Sequence, residues 1–249
     1  MTERIPMDYS ARLVRSSSAA TGTLFVEFEV VTPGFSFQPG QASLFSFPPE
    51  FPLGDKSRIF SLCSAPSEIP RLSIATRLTP GSAFKEALSK IQPGQPFLIE
   101  EATGEFLLPG GETPGTLVFL AGGIGITPFR SMIRELRHRK DSRFRILLLT
   151  VNRTGDETPF LPECQEWVKE GTLTWVPVLT REGLSPGSSR QERIEEGLAG
   201  VLKEAGENSL LYLAGPPGMV DTFHQTLLSQ FLVEEPRIKS DMFFGYLSR

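Results

Sequence analysis

A chain of 249 residues is too long to depend on metals or disulfides alone, and at about 100–200 residues per domain it holds one large domain or two ordinary ones. Hydrophobic residues at 39% and charged residues at 22% exclude wholesale disorder; Lys plus Arg at 25 against Asp plus Glu at 29 leaves −4, which excludes a general binder of nucleic acid or anionic membrane. Two distant cysteines, Cys63 and Cys164, with His138 and His224, exclude a disulfide framework, a Cys-rich zinc site and an iron–sulfur cluster of the chain's own, so no metal site is expected. Phenylalanine is the compositional oddity, with 19 against 3 tyrosines and 2 tryptophans.

In chain order, the first ten residues lack the apolar stretch of a secretory signal, and no later run approaches the ~20 apolar residues of a membrane span. The expectation is a cytoplasmic protein. Residues 22–31 alternate around Leu24, Val26, Phe28 and Val30 and read as a half-buried strand. Short apolar runs follow at Ala42–Phe47, Arg58–Leu62, Leu72–Arg77 and Gln95–Glu100, separated by Pro/Gly turns, a spacing that suggests a β-barrel or sandwich. One helical stretch, Ser82–Ile91, follows Pro80-Gly81 directly.

The texture changes at the turn-rich segment Pro109–Gly115. Beyond it, strands at Thr116–Ala121, Phe144–Val151, Thr172–Leu179 and Ser209–Ala214 alternate with helices at Pro128–Lys140, Arg190–Lys203 and Gly218–Phe231. Near-continuous apolar strands are what a parallel sheet covered on both faces requires. The boundary is placed at Glu112, giving domains 1–112 and 113–249.

Four stretches carry chemistry. Gly122-Gly123-Ile124-Gly125-Ile126-Thr127-Pro128 joins a strand to a helix: glycines permit a tight turn, Thr127 can cap, Pro128 suits the first turn, and the helix N-terminus offers N–H groups to a diphosphate. A purely structural turn is the alternative. Arg58–Ser64 puts Arg58, Phe60, Leu62 and Ser64 on one face of a strand, and gains interest beside Gly81-Ser82-Ala83, a second glycine entering a helix. Gly215-Pro216-Pro217-Gly218-Met219 lies where a strand of an α/β sheet passes into a helix. The tail Asp241-Met242-Phe243-Phe244-Gly245-Tyr246 is aromatic, and packing of the terminus is its simplest explanation.

In this order and spacing the four stretches resemble the ferredoxin–NADP reductase superfamily over nearly the whole chain. Arg58–Ser64 is similar to the family's flavin motif Arg-x-Tyr-Ser-x-x-Ser, residues 121–128 to its pyridine-dinucleotide loop, residues 214–219 to its Cys-Gly-x-x-Gly-Met turn, and Asp241–Phe243 to its acidic-x-aromatic ending. The resemblance implies an N-terminal six-stranded antiparallel Greek-key β-barrel holding FAD, and a C-terminal Rossmann-like α/β domain with a parallel sheet holding NAD(P)H. It implies that Arg58 pairs with a flavin phosphate, Phe60 lies beside the isoalloxazine, and Ser61 bonds near flavin N5. Ser64 closes the motif, while Gly81, Ser82 and Ala83 donate to the FAD diphosphate. Gly122, Gly123, Gly125, Thr127 and Pro128 would hold the pyridine nucleotide, with Gly215, Pro216 and Met219 near the nicotinamide. Ser61, Asp241 and Phe243 would serve the hydride step, Phe243 by shielding the flavin.

The chain departs from the family pattern at three places: Phe60 stands for Tyr, Ala214 for Cys and Asp241 for Glu. Arg153, Thr180 and Arg181 end strands of the second domain; Thr180-Arg181 resembles a 2′-phosphate-binding pair, a lean to NADPH, with solvated loop arginines as the alternative. The run Arg134, Arg137, Arg139, Lys140, Arg143 and Arg145 is a candidate docking face for an acidic carrier, or simply a solvated helix face. The implied activity is an FAD-dependent oxidoreductase that takes hydride from NAD(P)H and passes electrons to a separate carrier such as ferredoxin or flavodoxin. Alternatives are an electron-supplying subunit of one oxygenase or hydrogenase-type complex, and a non-catalytic nucleotide sensor.

Overall fold

The structure is a computed structural model, described for residues 8–54, 57–111, 115–182 and 189–243. Tertiary contacts divide it into two compact units: one comprises the chain through Leu108 together with Thr127–His138, the other Pro109–Ile126 together with Arg139 onward. The expected boundary falls on residues 112–114, outside the described residues.

The first unit is built on six antiparallel strands: β1 (Tyr9–Ala20), β2 (Thr23–Val30), β3 (Ala42–Ser46), β4 (Ser57–Ser61), β5 (Arg71–Arg77) and β6 (Pro96–Ile99). Their order is β4-β3-β6-β1-β2-β5, a Greek-key order in which the last strand enters between β3 and β1. The outer strands meet through a Leu62–Ile74 bridge, and the Cys63 N–H donates to the Ser73 carbonyl at 2.9 Å, so the sheet curls closed. The core is a cluster of rings. Phe28 packs 5.2 Å from Phe45 and 5.0 Å from Phe97, Phe47 lies 4.6 Å from Phe97 and 5.0 Å from Phe84, and Phe60 lies 5.9 Å from both Phe45 and Phe84. A buried phenol needs a hydrogen-bond partner and a phenyl ring does not, which suits Phe to a core packed ring on ring.

Strand β2 is more buried than a half-buried strand should be. Phe25, on its outer face, is covered by the guanidinium of Arg15 at 6.0 Å and of Arg130 at 5.5 Å. Helix α1 (Ala83–Lys90) lies between β5 and β6 in sequence and buries Phe84, Lys85 and Leu88.

The second unit carries five parallel strands: β7 (Gly115–Gly122), β8 (Phe144–Asn152), β9 (Thr174–Leu179), β10 (Leu210–Gly215) and β11 (Ile238–Met242), in the order β11-β10-β7-β8-β9. Strand β8 is buried along its last seven residues, as expected of a sheet covered on both faces. Helix α2 (Ile126–His138) follows β7, α3 (Leu161–Lys169) precedes β9, and α4 (Arg190–Ala205) and α5 (Pro217–Ser229) flank β10 in sequence. Helix α4 lies close on the sheet because Gly197 allows it: a Cβ there would stand 2.7 Å from Val178 Cγ2. Among the described residues no helix is long and apolar enough to cross a membrane, and no cluster of three metal-ligating side chains occurs.

Candidate functional site

The strand order reverses between β7 and β10. Chain connections therefore leave a crevice at the carboxyl ends of these two strands, the place where open α/β sheets bind ligands. The sequence motifs of the second unit gather along this edge. Strand β7 ends at Gly122, and a single 3₁₀ turn, Gly123–Gly125, leads into α2. The helix begins at Ile126, so Thr127 is not its cap: it is buried in the first turn. Pro128 is also in that turn, where backbone N–H groups have no partner within the helix.

The glycines do two different jobs. A Cβ on Gly125 would stand 2.0 Å from the Ala214 carbonyl oxygen, and one on Gly122 2.4 Å from Met219 Sδ, so these two are small because β10 and α5 press on the turn. Gly123 has a positive φ of 54° and open space where a Cβ would be, leaving room beside the turn. Gly215 has φ 148° and approaches the Gly122 carbonyl, so the two strand ends are held together by backbone. Pro216 precedes α5 as its N-cap, and Met219 reaches back over Gly122.

The tail is a strand as well. Asp241 pairs in register with Ala214 and Met242 with Gly215, and the Phe243 N–H donates to the Gly215 carbonyl at 2.9 Å. This brings Asp241 and Phe243 to the same edge as the glycine turn, which packing of a loose terminus would not do. Phe244 and Tyr246 lie outside the described residues. Farther along the edge, Asn152 ends β8 and Leu179 ends β9. The Thr180 N–H donates to the Asn152 carbonyl at 2.9 Å, the Arg181 N–H to the Arg153 carbonyl at 2.8 Å, and Arg153 Nε to Glu157 Oε2 at 2.7 Å.

In the first unit, Arg58 Nη1 donates to the Ser57 carbonyl at 2.7 Å and its guanidinium lies 5.8 Å from the Phe84 ring centroid, which ties β4 to the first turn of α1. Gly81, Ser82 and Ala83 lead into that turn; Ser82 is the N-cap residue and makes no side-chain cap bond, leaving the first backbone N–H groups of α1 uncapped by it. Lys85 was not singled out from sequence. It is only 8% exposed, and burial, then the neighbouring Arg58 charge, lower its pKa. Two basic side chains near one helix N-terminus are the kind of donor set that suits a diphosphate.

Two motif residues sit differently from expectation. Phe60 is 8% exposed with its ring in the aromatic core, whereas its neighbour Ile59 is 70% exposed. Ser64 is buried and its Oγ accepts the Ser73 N–H at 3.0 Å, a bond that fixes the strand end. Ser61 is half-buried at the end of β4.

Helix α2 is counted with the first unit for a reason visible in its charges. Arg130 Nη1 donates to the Cys63 carbonyl at 2.5 Å, buried Glu135 accepts the Ser67 N–H at 3.0 Å, and Arg134 pairs with Glu68. Arg143 pairs with Asp141 and Arg145 with Glu204. At least three of the six cations proposed as a docking face are thus engaged in ion pairs within the chain, which weakens that reading.

Comparison with known proteins agrees with this geometry. Residues 119–225 match the family model of the oxidoreductase NAD-binding domain. The chain is 28% identical over 193 residues to the reductase component of phenol 2-monooxygenase from Pseudomonas sp. (strain CF600), covering 72% of this chain and 51% of the relative. It is 32% identical over 127 residues to ferredoxin–NADP reductase B of Sorangium cellulosum, 51% of each chain. It thus spans about half the length of these curated relatives. Among solved structures, a ferredoxin–NADP+ reductase from Neisseria gonorrhoeae with bound FAD and NADP superposes with a TM-score of 0.75 at 23% identity, over 95% of this chain and 99% of that one. The glycine turn and the Gly215-Pro216 turn both lie within the stretch that matches the NAD-binding domain, and the chain shares the fold of the ferredoxin–NADP+ reductase structure.

Proposed function

We propose that the chain is an FAD-dependent NAD(P)H oxidoreductase, with FAD held by domain 1–112 and the pyridine nucleotide by domain 113–249. The observation that carries this reading is the carboxyl edge of the parallel sheet, where the β7 glycine turn, the Gly215-Pro216 turn and the Asp241–Phe243 tail converge. When bound, FAD and NAD(P)H supply the redox chemistry, a hydride transfer between them followed by release of electrons to an acceptor.

The chain's own residues bind and orient. Arg58 and Lys85, with the backbone of Gly81, Ser82 and Ala83, would neutralise the FAD diphosphate at the start of α1. Ser61 would offer a hydroxyl toward the flavin ring, and Phe60 would support that site from inside the core. Gly122, Gly123, Gly125, Thr127 and Pro128 would receive the nucleotide diphosphate, and Gly215, Pro216 and Met219 would border the nicotinamide. Phe243, half-buried on the edge beside Gly215, would cover the reacting ring until the nicotinamide takes its place, with Asp241 as the acidic group nearby.

Electrons would pass to a separate carrier of the ferredoxin or flavodoxin kind. A second reading, supply of one dedicated oxygenase, is supported by the likeness to the phenol 2-monooxygenase reductase component. A cytoplasmic location is part of the proposal, in keeping with two buried cysteines that form no disulfide. The flavin site is tested by FAD retention on gel filtration. The native chain should retain FAD, and Arg58→Ala should weaken its affinity about 10- to 100-fold, the range of a lost charge-assisted bond. Full retention in the variant would remove Arg58 from the site.

A further inference from the structure

In a doubly wound sheet the end of the second strand lies beside the adenosine ribose of a bound dinucleotide; an acidic group there suits a 2′-hydroxyl, and an arginine suits a 2′-phosphate. The second parallel strand here is β8, which runs through Asn152 into Arg153. Arg181 is joined to it from β9 by the 2.8 Å bond to the Arg153 carbonyl. These two arginines alone point to NADPH.

The carboxylates of the same edge point the other way. Glu157, four residues beyond Arg153 in the same loop, holds its guanidinium at 2.7 Å. Glu182 Oε2 accepts the Gly155 N–H at 2.9 Å, which brings a second carboxylate onto the same turn. Arg193 donates from Nη1 to the Glu182 carbonyl at 2.8 Å and also to the Leu179 carbonyl, so its guanidinium is bonded to backbone oxygens. Residues 183–188, between Glu182 and α4, contain no charged side chain.

We propose that Glu157 is a specificity-determining residue, which by holding Arg153 in an ion pair biases the nucleotide site against a 2′-phosphate and toward the coenzyme with a free 2′-hydroxyl. This rests on the NAD(P)H reading of the same sheet edge. A 2′-phosphate brings close to two negative charges at neutral pH. To reach Arg153 it must displace Glu157, and it then lies near Glu157 and Glu182 as like charges. A 2′-hydroxyl displaces nothing and can donate to a carboxylate. The Arg153 side chain is 55% exposed and that of Glu157 18% exposed, so the bias is modest.

The test measures binding of adenosine 2′,5′-bisphosphate and adenosine 5′-monophosphate by calorimetry. It uses the native chain, Glu157→Gln, Arg153→Gln and the double variant. Glu157→Gln should tighten the bisphosphate relative to the monophosphate about two- to fivefold, the size an exposed ion pair supports, and should gain clearly less in the Arg153→Gln background, where only like-charge repulsion is relieved. With FAD-loaded protein, the ratio of kcat/KM for NADPH to that for NADH should rise in parallel. An unchanged affinity ratio, or the same gain without Arg153, overturns the role of Glu157. Native protein that binds neither adenosine nucleotide overturns the dinucleotide site itself, a separate and recognisable result.

Discussion

Phe28, Phe45, Phe47, Phe60, Phe84 and Phe97 fill the antiparallel unit, whereas the parallel sheet packs Val and Leu from β7, β8 and β10 against α4 and α5. The two units also make room for a ligand in opposite ways. In the first, the proposed site depends on side chains that are present: Arg58 stands over the Phe84 ring, and Lys85 is buried on the same helix as Phe84. In the second, the carboxyl edge is shaped by side chains that are missing, since Gly122, Gly125 and Gly215 let three backbone segments close on one another. The first unit should therefore fail by losing atoms and the second by gaining them.

The largest effect should come from hollowing the ring core. Phe28→Ala removes a fully buried ring that touches two others and should cost about 3–5 kcal/mol in chemical denaturation. A cost under about 1 kcal/mol would mean that the barrel does not rely on these rings.

Adding a single methyl group to the sheet edge should cost somewhat less and act on binding. In Gly125→Ala the new Cβ would lie 2.0 Å from the Ala214 carbonyl oxygen, a backbone atom that cannot rotate away. We expect about 2–3 kcal/mol of destabilisation together with loss of pyridine-nucleotide affinity in a titration, while FAD retention persists. Loss of FAD with nucleotide affinity intact would reverse the assignment of the two units.

The smallest effect distinguishes core from site at one residue. Phe60→Tyr adds a phenol hydroxyl at a position that is 8% exposed. If the ring belongs to the core, the buried hydroxyl lacks a partner and costs about 1–2 kcal/mol. A neutral or stabilising outcome, with tighter FAD binding, would return Phe60 to the flavin face.

Much of this architecture is written in the order of the residues, and part of it is not. Both sheets, the glycine turn and the helices after β7 and β10 were legible because glycine sterics and continuous apolar strands leave few alternatives. Strand β1 was not, because its second half is Arg15-Ser16-Ser17-Ser18 and carries no apolar alternation; it is defined by its pairing with β2 and β6. Strand β11 was missed for a related reason: Ile238–Met242 is a half-exposed edge strand recognisable only by its parallel partner. Lys85 looks like an ordinary solvated lysine on a short helix, yet it is buried with the charge of Arg58 from β4 nearby. Phe60 and Arg58 share a strand face by alternation, but alternation does not say that the ring enters the core while the guanidinium stops over Phe84.

The most direct measurement is anaerobic mixing of the FAD-loaded chain with NADH and, separately, NADPH, following the visible absorbance of the flavin. The account predicts that at least one coenzyme bleaches the flavin in a stoichiometric, single-turnover reaction. A chain that takes up no FAD, or whose flavin keeps its colour with both coenzymes, would contradict it.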